Sequence, residues 1–306
     1  MKVNKRFVLA GVSLASALLL TACGGGSSNQ STYSYIYSTD PNTLDYIAST
    51  RTTTSDITSN LVDGLLENDK YGNLIPSLAE DWTVSEDGLV YTYKLRKDAK
   101  WYTSEGEEYG AVTAHDFVTG IKHAVEAKSE GLFLIQNSIK GLDAYVKGET
   151  KDFKTVGVKA LDDYTVQYTL ERPESFWNSK TTSGVLFPVN EAFLESQDKD
   201  FGSLKPSSIL YNGPYYLKNL TSKSQIELVK NKEYYDEKNV HIDHVKLTYN
   251  DGSDPESVIK KFENGQYSFA TVMPNSSTYK SVKKKFGDNI VYGVQYGTSY
   301  YLGFNI

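Results

Sequence analysis

The stretch DGLLENDKYGNLIPSLAEDWTVSEDGLVYTYKLRKDAKWYTSEGEEYGAVTAHDF, residues 63–117, decides the fold. Asp69-Lys70-Tyr71-Gly72-Asn73 reads as a turn, because Gly and Asn tolerate positive φ. Pro76 begins a short helical or extended step. Trp82 and Val84 alternate with Thr83 and Ser85, the two-residue period of a strand. Ser85-Glu86-Asp87-Gly88 then makes a turn of hairpin type. Beyond it Leu89, Tyr91, Tyr93 and Leu95 share one face, while Val90, Thr92, Lys94 and Arg96 take the other. Thr113 precedes a helical run and Asp116 stands three residues on, close to a capping box, with the carboxylate at the positive end of the helix dipole. The residues alone thus predict a small antiparallel sheet with a helix against it.

Around this stretch lies a chain of 306 residues with a formal net charge of −6, a pI near 5.4 and a mean hydropathy of −0.44. A chain this long buries roughly three quarters of its unfolded surface and can hold more than one core. The acidic pI argues against a nucleic-acid binder, which needs a basic surface to neutralise phosphates. The 24 Tyr are expected mostly in sheet cores, with a minority available for a binding surface, since the ring is apolar and its tip polar.

The amino terminus reads as a processing segment. Lys2, Lys5 and Arg6 form a basic region, and residues 7–20 are apolar but too short for a comfortable membrane span of about 20 residues. Leu20-Thr21-Ala22-Cys23 resembles a bacterial lipobox, in which the Cys thiol takes a diacylglyceryl group and becomes the first residue after cleavage. Cys23 is the single Cys of the chain, which excludes an intrachain disulfide and a Cys-rich metal site. GGGSSNQST, residues 24–32, makes a flexible tether of about 15–18 Å r.m.s., at about 5–6 Å per square root of residue number.

Further along, Tyr33-Ser34-Tyr35-Ile36-Tyr37 is a strand-like opening ended by Asp40-Pro41. Residues 47–54 read as a polar loop and residues 56–61 as a short helix. Two strands are expected around the Asp162-Asp163 turn. Asn212-Gly213-Pro214 enters another strand, and Val245, Leu247 and Tyr249 alternate as a strand does. Asp254-Pro255 is a helix start with Asp at the N-cap and Pro at the first helical position, and Gly265 is the expected stop. No internal repeat is visible.

GLLENDKYGNLIPSLAEDWTVSEDGLVYTYKLRKDAKW, followed by VTAHDF, resembles the signature region of the solute-binding proteins of the oligopeptide-permease family, the extracytoplasmic receptors of ABC importers. TDPNTLDY, VGVKALDDYTVQYTLERP and NGPY resemble three further blocks of that family. The resemblance covers nearly all of the chain after Ser31. It implies an α/β fold: a lobe of the type II periplasmic-binding-protein kind, with a mixed β-sheet flanked by helices, plus a smaller α+β domain. The implied division is a signal peptide at 1–22, a lipidated Cys and linker at 23–32, lobe I at 33–62 and 171–306, and a small peripheral domain at 63–170. It also implies a second lobe beyond the last residue, so the chain is expected to be a truncated product or a fragment, with weak or no peptide affinity in isolation. The implied function is a lipid-anchored receptor at the outer face of the cell membrane that captures oligopeptides and delivers them to the permease subunits of an importer. Alternatives are a surface paralogue that no longer binds peptide and acts as an interaction protein, or a receptor for a dipeptide, a nickel chelate or a sugar.

No enzyme motif competes with this reading. There is no Gly-x-Ser-x-Gly elbow, no His-Glu-x-x-His and no phosphate loop. His241 and His244 fall on opposite faces of an expected strand, and His115 and His123 lie about 12 Å apart along a helix, too far to share an ion. Asp251-Gly252-Ser253-Asp254 lacks the distal Glu of a calcium loop. No cofactor is expected. By position along the resemblance, the peptide-contacting candidates are Thr50, Arg51 and Thr52, then Ser59, then Thr271 and Met273, then Tyr300 and Tyr301. Cys23 is the lipidation site. A receptor for many sequences has to grip the peptide backbone, as an added β-strand does.

Overall fold

The computed structural model describes residues 31–292. Strand β1 (Thr32–Tyr37) leads through an irregular segment to helix α1 (Thr52–Thr58). Then come the hairpin of β2 (Leu66–Asn68) and β3 (Leu74–Pro76), strands β4 (Ala79–Val84) and β5 (Val90–Leu95), and the hairpin of β6 (Lys100–Tyr102) and β7 (Glu108–Ala111). Helix α2 (Ala114–Glu126) and the short helices α3 (Leu132–Ile135) and α4 (Leu142–Val146) precede β8 (Val158–Asp162) and β9 (Thr165–Thr169). Helices α5 (Trp177–Lys180) and α6 (Glu191–Gln197) lead to β10 (Tyr215–Thr221), β11 (Gln225–Lys230) and β12 (His244–Tyr249), and α7 (Pro255–Glu263) and α8 (Tyr279–Phe286) close the described chain.

Two four-stranded sheets organise these elements. One is antiparallel, in the order β4-β5-β9-β8, and is drawn wholly from the middle of the chain. The other is mixed, in the order β1-β12-β11-β10, with β1 parallel to β12 and the remaining pairs antiparallel. Parallel neighbours need a long crossover, and here everything between Tyr37 and His244 supplies it. Buried side chains join both sheets in one continuous core.

Local chemistry accounts for most boundaries. Ser85 and Asp87 close the β4–β5 turn: the Ser85 Oγ accepts from the Val90 N–H at 2.9 Å, and Gly88 sits at φ 70°. Tyr91, Tyr93 and Leu95 are buried as the alternation predicts. The Asp116 carboxylate accepts from the Thr113 N–H at 2.8 Å, completing the reach of a capping box. It also accepts from the Trp101 indole N–H at 2.9 Å. Asp254 caps α7 by accepting from the Ser257 N–H at 3.0 Å, and Gly265 follows at φ 71°.

One expectation needs correction. Helix α1 begins at Thr52 and ends at Thr58, whereas the sequence pattern placed a loop over 47–54 and a helix over 56–61. Its buried stripe is Thr54, Ile57 and Thr58, so hydroxyl-bearing residues carry the packing face and no apolar period is visible. The Thr54 hydroxyl gives up its polarity to the Asn42 Oδ1 and the Thr43 carbonyl.

A buried polar network joins the segment after α1 to the connection between β11 and β12. The Asp63 carboxylate accepts from the Tyr234 hydroxyl at 2.8 Å and the Tyr235 hydroxyl at 2.6 Å, while the Asp63 N–H donates to Asn212. The Arg96 guanidinium lies 3.5 Å from the centre of the Tyr235 ring. Burial pushes the Asp63 carboxyl up to about 6, against the two hydroxyl donors and Arg96. A raised folded-state value means the folded chain binds this proton more tightly than the unfolded one. Its stabilising contribution is therefore complete below the ordinary carboxylate range and is lost as pH rises through about 6. Asp63→Asn keeps an acceptor for both hydroxyls without the charge. Urea titrations should show the variant gaining on the parent by up to about 3 kcal/mol between pH 4 and pH 7.5, at 1.36 kcal/mol per pKa unit. A difference independent of pH would contradict the assignment.

Candidate functional site

Helix α1 and the carboxyl end of β1 frame the most site-like concavity near the sequence-predicted residues. Among the described residues β1 is an edge strand, paired on one side to β12. Tyr33, Tyr35 and Tyr37 alternate onto one face of it. Tyr35 stands opposite Leu247 and Leu247 opposite Ile226, so one sheet face carries all three. Across from that face, α1 presents Thr53, Asp56 and Ile57. The space between them is a pocket of about 250 Å³, with Ser38 and Thr39 at its rim. The pocket lies toward the carboxyl ends of β1 and β12.

The loop entering α1 is held rigidly. Ser129 donates its hydroxyl to the Ile47 carbonyl, and the Glu130 N–H donates to the Ala48 carbonyl at 2.8 Å. The Asp45 carboxylate accepts from the Ile47 and Ala48 N–H groups. Glu130 then grips the next residues: its carboxylate accepts from the Ser49 hydroxyl, the Thr50 N–H and the Arg51 guanidinium, each at 3.3 Å. The Thr50 N–H and the Arg51 side chain hold the Glu130 carboxyl below its ordinary value. Gly131 lies against the Thr50 methyl, where a Cβ would stand 3.1 Å from it. Arg51 is extended at φ −68°, ψ 135°, and no side chain caps α1. Among the described residues the Thr50 carbonyl and the Thr52 N–H have no hydrogen-bond partner. Exposed backbone groups on a fixed extended segment can receive another extended chain.

Thr50, Arg51 and Thr52 are therefore brought together, exposed and beside the pocket. Ser59 is exposed at the far end of α1, outside the pocket lining. Thr271 and Met273 are exposed and follow a segment that adjoins β1: the Ser268 N–H donates to the Ser34 carbonyl at 2.7 Å and the Ser34 N–H to the Ser268 hydroxyl at 2.9 Å. Tyr300, Tyr301 and Cys23 lie outside the described residues.

Sequence reasoning missed Tyr35, Asp56, Glu130 and Phe269. Phe269 stacks on Tyr33 with ring centres 5.9 Å apart and stands 5.7 Å from Tyr35, an aromatic shelf at the start of β1. The Tyr-x-Tyr-x-Tyr alternation was the visible signal for part of it. Burial, and then the neighbouring Asp56 and Tyr33, raise the Tyr35 hydroxyl. Among the described residues no group of His, Cys, Asp and Glu is arranged to hold a metal ion, and no helix is long and apolar enough to cross a membrane.

Comparison with known proteins agrees with this architecture. Residues 73–306 match the family described as bacterial extracellular solute-binding proteins, family 5 middle. The oligopeptide-binding protein AliB of Streptococcus pneumoniae is 60% identical over 99% of this chain, which covers 46% of AliB. AliA of the same organism is 57% identical over the whole chain, which covers 47% of AliA. The substrate-binding domain of an oligopeptide ABC transporter from Bacillus anthracis superposes with a TM-score of 0.75 at 31% identity, over 86% of this chain and 48% of that one. The chain thus spans about half the length of the curated relatives it matches.

Proposed function

The chain belongs to family 5 of the bacterial extracellular solute-binding proteins, and from that membership we propose that it is the part of an oligopeptide receptor that presents a fixed backbone edge to the ligand. The observation that carries this reading is the loop of Thr50, Arg51 and Thr52, clamped by Glu130, with a carbonyl and an N–H left for an incoming peptide. Contacts to backbone alone admit many sequences, which suits an importer receptor. In the whole protein, capture would come from closure of two lobes about a hinge. The mixed sheet belongs to the lobe formed by residues 33–62 and 171–306, and residues 63–170 form the peripheral domain. Residues 1–22 act as a signal, Cys23 carries the lipid, and the loaded receptor docks on the permease subunits of an ABC importer.

Thr52→Pro tests the backbone claim. Proline is well tolerated at the first helical position, and the extended Arg51 before it is the conformation a proline requires. The substitution should change stability by less than about 1 kcal/mol and weaken pentapeptide binding about fivefold, by removal of one hydrogen bond. Ligand-observed NMR with mixed-sequence pentapeptides reads the affinity. Unchanged affinity in a folded variant would overturn the placement, and equal response to free amino acids or sugars would overturn the substrate class.

A further inference from the structure

The pocket between β1 and α1 has more chemistry than backbone recognition needs. Asp56 is exposed and lines the pocket. Among the described residues its carboxylate has no ion pair and no hydrogen bond, although most neighbouring charges are committed. Arg51 is engaged by Glu130. Asp40, near the rim, accepts from the Tyr37 hydroxyl at 3.0 Å, the Ser222 hydroxyl at 2.6 Å and the Lys223 N–H at 3.1 Å. Tyr35 and Tyr37 line the pocket on the side of β1, opposite α1. Aromatic rings attract a cation through their faces, and a carboxylate at the same opening adds a charge partner. At about 250 Å³ the space suits one long side chain rather than a whole ligand.

We propose that the pocket of Tyr35, Tyr37 and Asp56 is a subsite for a cationic side chain, lysine or arginine, of the bound peptide. The proposal rests on the peptide-binding reading above and adds a preference to it. The methylene stem would lie along Tyr35 and Leu247 and Ile226 at the pocket floor, and the charged head would reach Asp56 at the solvent side, as long cationic side chains commonly do. Asp56 sits one turn into α1, so its position is fixed by the same helix that presents Thr52 to the peptide backbone. Backbone grip and side-chain choice would then be built on one element.

The test uses three pentapeptides on the full chain: N-acetylated, C-amidated Ala-Ala-Lys-Ala-Ala, the same peptide with norleucine for lysine, and the norleucine peptide with a free amino terminus. Affinities are read by NMR titration at low ionic strength. The acetylated lysine peptide should bind about five- to tenfold more tightly than its norleucine counterpart, and the preference should shrink in higher salt. In Asp56→Asn the lysine-over-norleucine ratio should fall below about twofold. If both acetylated peptides bind alike, or if Asp56→Asn leaves the ratio intact, the subsite is wrong while the peptide reading stands. If only the unblocked norleucine peptide gains affinity, the pocket takes an amino terminus and the side-chain assignment is overturned. Failure of all three to bind at millimolar peptide overturns the claim that this chain's own backbone edge holds a peptide, and the subsite with it.

Discussion

Glu174→Ala is expected to cost about 3–5 kcal/mol of stability, the loss typical when one partner of a buried ion pair is removed. The Glu174 carboxylate is 2% exposed and accepts from the Lys180 ammonium at 2.6 Å and the Ser138 hydroxyl at 3.0 Å. Lys180 is 14% exposed and also donates to Ser138 at 2.7 Å. Arg172 approaches Glu174 at 3.4 Å but is 65% exposed, so it contributes little. Alanine would leave the Lys180 charge largely buried, with the neutral Ser138 hydroxyl as its hydrogen-bond partner among the described residues. The double change Glu174→Leu with Lys180→Met removes both charges and should recover most of the loss, because the pair stabilises little beyond its own desolvation cost. Urea denaturation of the single and double variants checks this. A single variant within about 1 kcal/mol of the parent would mean the pair is solvated.

Gly202→Ala should cost about 3 kcal/mol or more and should also weaken peptide binding. Gly202 has φ 69°, a region that costs an L-residue about 1 kcal/mol or more. An alanine Cβ there would stand 2.5 Å from the Asp45 backbone nitrogen and 2.4 Å from the Asp45 Cβ, so the backbone itself would have to move. The Gly202 carbonyl accepts from the Leu44 N–H and the Thr43 hydroxyl, both at 2.7 Å. Asp45 in turn caps the Ile47 and Ala48 N–H groups and pairs with His123 at 2.8 Å. A shift at Asp45 therefore propagates toward Thr50. Thermal unfolding reads the first effect and pentapeptide titration the second. A stable variant with unaltered binding would show that the loop is positioned without Asp45.

What could be read from the sequence was what neighbours in the chain decide. The Ser85–Gly88 turn, the Thr113–Asp116 cap and the Asp254-Pro255 start each complete their hydrogen bonds within a few residues, so composition predicts them. The pairing of Thr32 with His244 could not be derived this way, because the two strands meet only after the whole intervening chain has folded. Helix α1 was hidden because threonines form its inner face. Thr50 and Arg51 became candidates only through family resemblance. Glu130, which makes their loop rigid, lies 80 and 79 residues from them, and one acidic residue among many gives no signal of that role. Asp116 shows a mixture of the two: its capping bond is local, while its acceptance of the Trp101 indole proton depends on the β6–β7 hairpin folding back.

The placement of peptide recognition at β1 and the entry to α1 is tested most directly by backbone amide NMR of the isotopically labelled chain during titration with mixed-sequence pentapeptides. The account predicts shifts concentrated at Tyr35 to Thr39 and Thr50 to Thr53, with Asp56 following when the peptide carries lysine. Shifts centred instead on the groove between α2 and α6, lined by Lys122, Glu126, Glu191 and Glu195, would contradict it.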